Sequence, residues 1–426
     1  MTDLVVGIDI GTSGARAVAM DASGAVVAQA GAKMATFGDN FRDACVWWRT
    51  LDAALDTLFA EVDAHRVAAL AVDGTSGTML PIDSFGRPLA DGLMYSDTVA
   101  DTEILAAIAA TAPPTSAAHG STSGLAKVMA FQKVLSPWKV IHQADWIAGK
   151  FSGRFGVSDE NNALKTGYDP VARSWPDWIE AAGADASLLP EVVAPGTPVG
   201  YAVSEHARRY GLSPETVVVA GTTDGCASFL ATGAEKIGEG VTALGTSLTV
   251  KVLSEKPIFA PQYGLYSHRI GDRWLAGGAS NTGGKVLAHF FADSRVAELS
   301  KDIDPVEPSG LDYYPLVGKG ERFPIADPDL APRLEPRPDD DPKFLHGIFE
   351  GVAAIEALGY ERLAELGGPA LKSLRSVGGG AANPVWTEIR KRLLGVPFLP
   401  ALSEEAAAGT ARLALQGAIA AGALRP

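Results

Sequence analysis

Four apolar, strand-like runs in this chain end in turns made of glycine and hydroxyl residues: VVGIDIGTSGAR at 5–16, ALAVDGTSGT at 69–78, VVVAGTTDG at 217–225 and VTALGTSLTV at 241–250. The recurrence constrains the fold because open α/β sheets bind ligands in polar loops at the carboxyl ends of neighbouring strands. Glycine lets main-chain N–H groups come close to a phosphate, and the adjoining Thr or Ser adds a hydroxyl donor. Asp9 in the first turn and Asp224 in the third bring carboxylates of the kind a Mg-nucleotide site needs. The residue types point to phosphoryl transfer.

At 426 residues the chain exceeds what one core usually supports, so two domains with a cleft between them are expected. The formal charge of −14 disfavours nucleic acid and anionic membrane as partners, because both select a basic footprint. A phosphorylated ligand must then be held locally. Cys45 and Cys226 are too few and too scattered for a disulfide framework or a thiolate zinc site, and a reduced, cytoplasmic setting is expected. MTDLVVGIDIG lacks a basic segment followed by a cleavable apolar stretch, and no run of about 18 apolar residues offers a membrane span. TARLALQGAIAAGALRP, interrupted by Arg412 and Gln416, reads as a packed terminal helix.

The first hundred residues read as three strands, a helix with apolar spacing through Trp48, Leu51, Leu55, Leu58 and Val62, and a fourth strand VAALAVDG. From 241 the order partly repeats: VTALG, a Thr-Ser turn, LTVKVLS, a hairpin turning at Gly271 and Asp272, and a helix from Asn281. Two similar halves suggest duplication. Residues 99–216 are mixed, helix-rich and broken by prolines, as a substrate-side insertion would be. The stretch 303–343, rich in Pro, Asp and Gly, reads as an exposed loop with a solvated acidic run at Asp339, Asp340 and Asp341. Phe344, Ile348, Val352 and Ile355 then carry helical spacing, with Asp341 and Pro342 as its start.

DIGTSGAR at 9–16, GTTDGCASFLATGA at 221–234, ALGTSLTV at 243–250, GGASNTGG at 277–284 and SVGGGAANPVW at 376–386 stand in the order found in FGGY carbohydrate kinases, which the chain resembles nearly end to end. The resemblance implies an α/β fold of two RNase-H-like domains of the actin and hexokinase superfamily with an inter-domain active-site cleft. It divides the chain at 1–231 (sugar side), 232–404 (nucleotide side) and 405–426, a helix packing back on the first domain. It implies ATP and Mg2+, with Asp224 as the general base toward a sugar hydroxyl and Asp9 holding Mg2+ through water. Asp224 would equally serve as a helix cap and Asp9 as a turn residue.

By the same resemblance Gly11, Thr12, Ser13 and Arg16 close around the phosphates from one side, and Gly245, Thr246 and Gly283 from the other. For Arg16 a surface salt bridge is the competing reading. Gly379, Gly380, Asn383 and Trp386 are the nucleotide-base candidates, with Trp386 open to a core role instead. On the sugar side stand Asp9, Thr12, Ser76 and Asp224, joined by Tyr95 and Asp97 in MYSDTVAD, where many relatives carry a Trp-x-Asp-x-Arg pattern. QADWIAGKFSG at 143–153 resembles the Asp-containing helix before a Leu-Thr-Gly turn.

SNTGGKV fails as a P-loop, since Ala279 stands five before Gly284 and Val286 follows Lys285, and GEGVTA precedes a strand where a dinucleotide fingerprint should follow one. The seven histidines show no metal spacing. The compact length resembles the D-ribulose-phosphorylating branch, so a ketopentose such as D-ribulose is the expected acceptor, with D-xylulose or another polyol as the alternative. A non-catalytic, actin-like ATP-binding switch protein is the competing class. Monomer and dimer both stay open.

Overall fold

The computed structural model describes residues 3–425, and the chain separates into two compact units: Met1–Ala231 with His268–Gly271 and Glu405–Pro426, and Thr232–Ser267 with Asp272–Glu404. In the first unit β1 (Leu4–Ile10), β2 (Gly14–Asp21) and β3 (Val26–Lys33) form an antiparallel meander. Helix α1 (Ala44–Glu61) follows, and β4 (Val67–Gly74) returns parallel to β1. All residues of β1 and β4 are buried, as central strands covered on both faces require.

Helix α1 begins earlier than the apolar spacing suggests, because the Asp43 carboxylate accepts from Cys45 N–H and caps it. Trp47, rather than Trp48, is the fully buried indole. Beyond β4, helices α2 (Thr102–Thr111) and α3 (Gly124–Val134) share a separate apolar cluster that includes Ile104, Ile108, Leu125 and Val128. Helix α4 (Gln143–Ser152), β5 (Pro198–Tyr201), β6 (Val217–Thr223) and α5 (Asp224–Ala231) complete this stretch. The sheet runs β3-β2-β1-β4-β6-β5, with β6 parallel to β4.

The second unit repeats the scheme. β7 (Glu239–Leu244), β8 (Leu248–Ser254) and β9 (Arg273–Ala279) form an antiparallel meander. The long helix α6 (Asp341–Glu365) leads to β10 (Ser373–Val377), which is parallel to β7. Helix α7 (Pro384–Leu394) leads to β11 (Phe398–Leu399), parallel to β10. The order β9-β8-β7-β10-β11 matches β3-β2-β1-β4-β6 strand for strand.

Asp340, not Asp341, caps α6, by accepting from Lys343 N–H, with Pro342 in the first turn. The helix expected from Asn281 begins at Gly284. The reading of 303–343 as a plain exposed loop fails over much of its length, since Tyr313, Tyr314, Leu316 and Phe323 are buried in the second core. Proline and glycine exclude regular structure there, but the interleaved aromatic residues bury enough apolar surface to anchor the backbone.

The chain ends in α8 (Ala406–Ala420), which lies on β1, β4 and β6 of the first unit through Ala407, Ala411, Ala414 and Ala418. Small residues on both sides allow near-backbone contact. A Cβ added at Gly7 would stand 2.0 Å from the Ala407 carbonyl oxygen, and one at Gly409 1.9 Å from that of Ala227 in α5.

Candidate active site

Three adjacent parallel strands of the first unit deliver an aspartate at or just beyond their carboxyl ends. Asp9 of β1 is in register with Asp73 of β4, so both carboxyls stand on the same rung. On the other flank of β4, Thr222 and Thr223 of β6 pair with Asp73 and Gly74, and the next residue, Asp224, is the first of α5. A shift in the β6 register between Val219 and Thr222 sets that position. Gly221 makes the shift possible, because a Cβ there would meet the Val72 carbonyl oxygen at 1.7 Å. Asn161 donates its amide to Thr222 Oγ1 at 2.9 Å and steadies the strand end.

The electrostatics of this row are those of carboxyls crowded out of water. Burial, and then the nearby Asp224 charge, pushes Asp9 up to about 6, against the pull of Arg16. Asp73 is fully buried and is held well above the usual carboxylate range by burial and by Asp9. Its Oδ2 accepts from the Thr410 hydroxyl on α8, and its Oδ1 has no hydrogen-bond partner among the described residues. An ionised oxygen left so would be costly, which disfavours the charged form of Asp73. Asp224 Oδ1 accepts from Gly225 N–H at 2.6 Å, the geometry of a helix start, while its carboxylate charge still bears on Asp9.

Sequence reasoning singles out Asp9 and Asp224 and misses Asp73 and Thr410. The repeated strand-to-turn pattern carries a signal for Asp73, since VDGTSG at 72–77 matches IDIGTSG at 8–14 up to one residue. No local signal marks Thr410, whose partner lies far away in sequence.

The β1–β2 turn is tight, with Gly11 N–H donating to Gly14 O at 3.0 Å, and it leaves Thr12 and Ser13 exposed. Arg16 pairs with Asp9 at 3.3 Å and with Glu405 at 3.3 Å, which is the salt-bridge reading of that residue. Ser76 Oγ is buried and lacks a partner among the described residues. Tyr95 is 47% exposed, and its N–H donates to Thr78 Oγ1 at 3.0 Å. Asp97 is taken up by Arg42, at 2.8 and 2.6 Å, and by Met94 N–H, so it braces its own loop. That ion pair holds its carboxyl below the usual range.

In the second unit the β7–β8 turn places Gly245 and Thr246, both exposed, where the first unit has Gly11 and Thr12. Gly283 and Gly284 back this turn. Gly284 N–H donates to Gly245 O at 2.8 Å, and a Cβ on Gly283 would come within 2.7 Å of the Ser247–Leu248 backbone. The carboxylates, however, are absent at the matching rung, where Ala243 pairs with Val377 as Asp9 pairs with Asp73. Gly379 is open, with no atom within 4 Å of an added Cβ. Asn383 caps α7 by accepting from Trp386 N–H at 3.0 Å and donates to Ser300 Oγ at 2.9 Å.

Trp386 does not take the place against a base that the resemblance implied. It is wholly buried, stacked on Phe349 at 4.7 Å, and its indole N–H donates to the Phe349 carbonyl. A Cβ at Gly380 would stand 2.8 Å from its ring, so Trp386 supports the glycine turn from behind. An indole followed by apolar spacing reads the same in either role, and only packing separates them.

Among the described residues no three His, Cys, Asp or Glu side chains gather as a metal cage, and no helix is long and apolar enough to cross a membrane. Asp9 offers the hard oxygen donor that suits Mg2+, an ion that commonly takes one or two carboxylates and completes its shell with water and substrate phosphate.

Residues 240–418 match the C-terminal domain of the FGGY family of carbohydrate kinases. Autoinducer-2 kinases of Yersinia enterocolitica and Yersinia pestis are 28% identical over 292 residues, covering 63% of this chain and 55% of theirs. The chain thus spans about half the length of the curated relatives it matches. Among solved structures, a xyloylose kinase from Brucella ovis superposes with a TM-score of 0.85 at 22% identity, over 98% of this chain and 91% of that one. Plasmodium falciparum glycerol kinase with ADP gives 0.82 at 14% identity, over 98% and 90%. These structures share the fold of two sheet-containing α/β domains. The chain resembles the FGGY family of carbohydrate kinases, whose C-terminal domain its residues 240–418 match.

Proposed function

We propose that this chain is an ATP-dependent carbohydrate kinase, transferring the γ-phosphoryl group of ATP to a hydroxyl of a small sugar. One observation carries the reading: two units of like topology bear the same Gly-Thr-Ser turn, yet among the described residues only the first has aspartates at the strand ends that lead into it, at Asp9, Asp73 and Asp224. Phosphoryl transfer needs such an asymmetry. Backbone N–H groups hold phosphates wherever glycine turns are open, whereas a base is needed only where the acceptor hydroxyl sits.

In the proposed reaction the acceptor hydroxyl gives its proton to Asp224 as its oxygen bonds to the γ-phosphorus. The bond from that phosphorus to the β,γ-bridging oxygen breaks, and ADP leaves with the electron pair. Gly11, Thr12 and Ser13 grip phosphate from the sugar side, and Gly245 and Thr246 from the nucleotide side, while Gly379 and Gly380 line the base. A magnesium ion carried on the phosphates would be held by Asp9 through water and would neutralise developing charge. Asp73, tied to Thr410, fixes the orientation of Asp9. Ser76 faces the sugar, with Tyr95 at the rim and Asp97 bracing the loop that carries it.

D-ribulose, the ketopentose that the sequence resemblance implies, is the acceptor we favour. D-xylulose follows, and the names of the relatives add glycerol and autoinducer-2. The test is ADP release measured across pentuloses, hexuloses, polyols and autoinducer-2. Acceleration by at least one acceptor is expected. If none raises release above background, the actin-like nucleotide switch becomes the better account.

A further inference from the structure

The second unit contains a surface groove of about 450 Å³, inside the range of small-molecule sites, lined by Tyr263, Asn281, Arg322 and Asp327 among others. Its floor is set by the buried Glu321. That carboxylate accepts from Ser280 Oγ at 2.5 Å, Asn281 N–H at 2.7 Å, Arg322 N–H at 2.8 Å and Tyr314 OH at 3.0 Å. Four donors on one carboxylate hold two chain segments rigidly against each other.

Above this floor, Arg322 Nε donates to Asn281 Oδ1 at 2.8 Å, and Asn281 Nδ2 donates to the Gly320 carbonyl at 2.9 Å. Among the described residues no carboxylate lies within ion-pair distance of Arg322, although the chain carries 50 acidic side chains and many of its other arginines are paired. A guanidinium held through one nitrogen and otherwise unpaired presents a planar fork suited to carboxylate or phosphate. Tyr263 forms an aromatic wall and itself lies under Arg362 at 5.6 Å, and Asp327 adds an acceptor for hydroxyls.

We propose that this groove binds a small polyhydroxylated anion, with its phosphate or carboxylate on Arg322, its hydroxyls on Asp327 and its carbon skeleton on Tyr263. Binding there acts on the nucleotide side. Ser280 N–H donates to Leu248 O, and Leu248 N–H to Thr282 O, each at 2.9 Å, so the segment carrying Asn281 is laced to the turn of Gly245 and Thr246. This last step rests on the kinase reading, whereas the binding itself does not.

The test is calorimetric titration of the full chain, saturated with ADP, using glycerol 3-phosphate for the phosphate source and D-gluconate for the carboxylate source. The same titrations are run on Arg322→Met and Asp327→Asn. We expect at least one anion to bind at one site per chain and to weaken on the order of tenfold or more in Arg322→Met, a charge-assisted contact being lost. Asp327→Asn should weaken it less, and ADP affinity should shift with anion in the wild type but not, at the same anion concentration, in Arg322→Met. Absence of binding by both anions, or binding unchanged by Arg322→Met, overturns the proposal. Because heat of binding needs no turnover, a chain that phosphorylates no sugar would leave this result standing.

Discussion

Asp224 and Asp159 are both acidic residues at helix starts, and their surroundings give them different work. Asp224 is half-buried beside Asp9. Asp224→Asn is expected to lower kcat by roughly 10²- to 10⁴-fold, the usual share of a positioned base, with sugar and ATP affinities nearly unchanged. Steady-state kinetics with equilibrium titration checks this, and a parallel loss of binding would favour a structural cap. Asp159 is 2% exposed and accepts from Asn161 N–H, Asn162 N–H and Asn162 Nδ2. Burial, and then Asp145, raises it to about 7 from an ordinary 3.8. The native chain therefore binds this proton more tightly than the unfolded one, and the stability it confers falls as pH rises from 3.8 toward about 7. In Asp159→Asn that slope should vanish, with the Asn162 amide turning its unpartnered Oδ1 to the new donor. Urea denaturation at about pH 5 and about pH 8 reads the difference, and an unchanged slope refutes the assignment.

Helix α8 lies far along the chain from the strands it covers, and its fit depends on what is missing from both surfaces. Gly7→Ala would drive a methyl into the Ala407 carbonyl and the Ala411 amide, at 2.0 and 2.2 Å. Because the obstacle is backbone, helix and sheet must separate, at a cost of about 1–3 kcal/mol or more. The Thr410 bond to Asp73 would loosen with them. Chemical denaturation together with kcat of the variant tests both effects, and a loss of neither would mean that the helix is not held this closely. The amphipathic helices α1 and α6 were legible from spacing to within a few residues, their starts being set by Asp43 and Asp340. The 303–343 stretch was misread because composition scores Pro, Asp and Gly while its four buried aromatic and leucine side chains do the anchoring.

Two units sharing one strand order make the molecule a doubled fold in which the paired rung is Asp9 with Asp73 in one copy and Ala243 with Val377 in the other. A kinase must exclude water from the γ-phosphate, so sugar with a nonhydrolysable nucleotide is expected to reduce the radius of gyration in small-angle scattering. An unchanged radius would count against closure as part of the mechanism. The strands, their glycine turns and the aspartates at 9 and 224 are legible in the sequence alone, because turn chemistry and short continuous apolar runs are local properties. The pairing of Asp9 with Asp73, the hydroxyl of Thr410 behind them and the burial of Trp386 under Gly380 were decided only in three dimensions. Register between strands and contact between distant segments depend on which surfaces the whole chain can bury together, and no window of sequence contains that information.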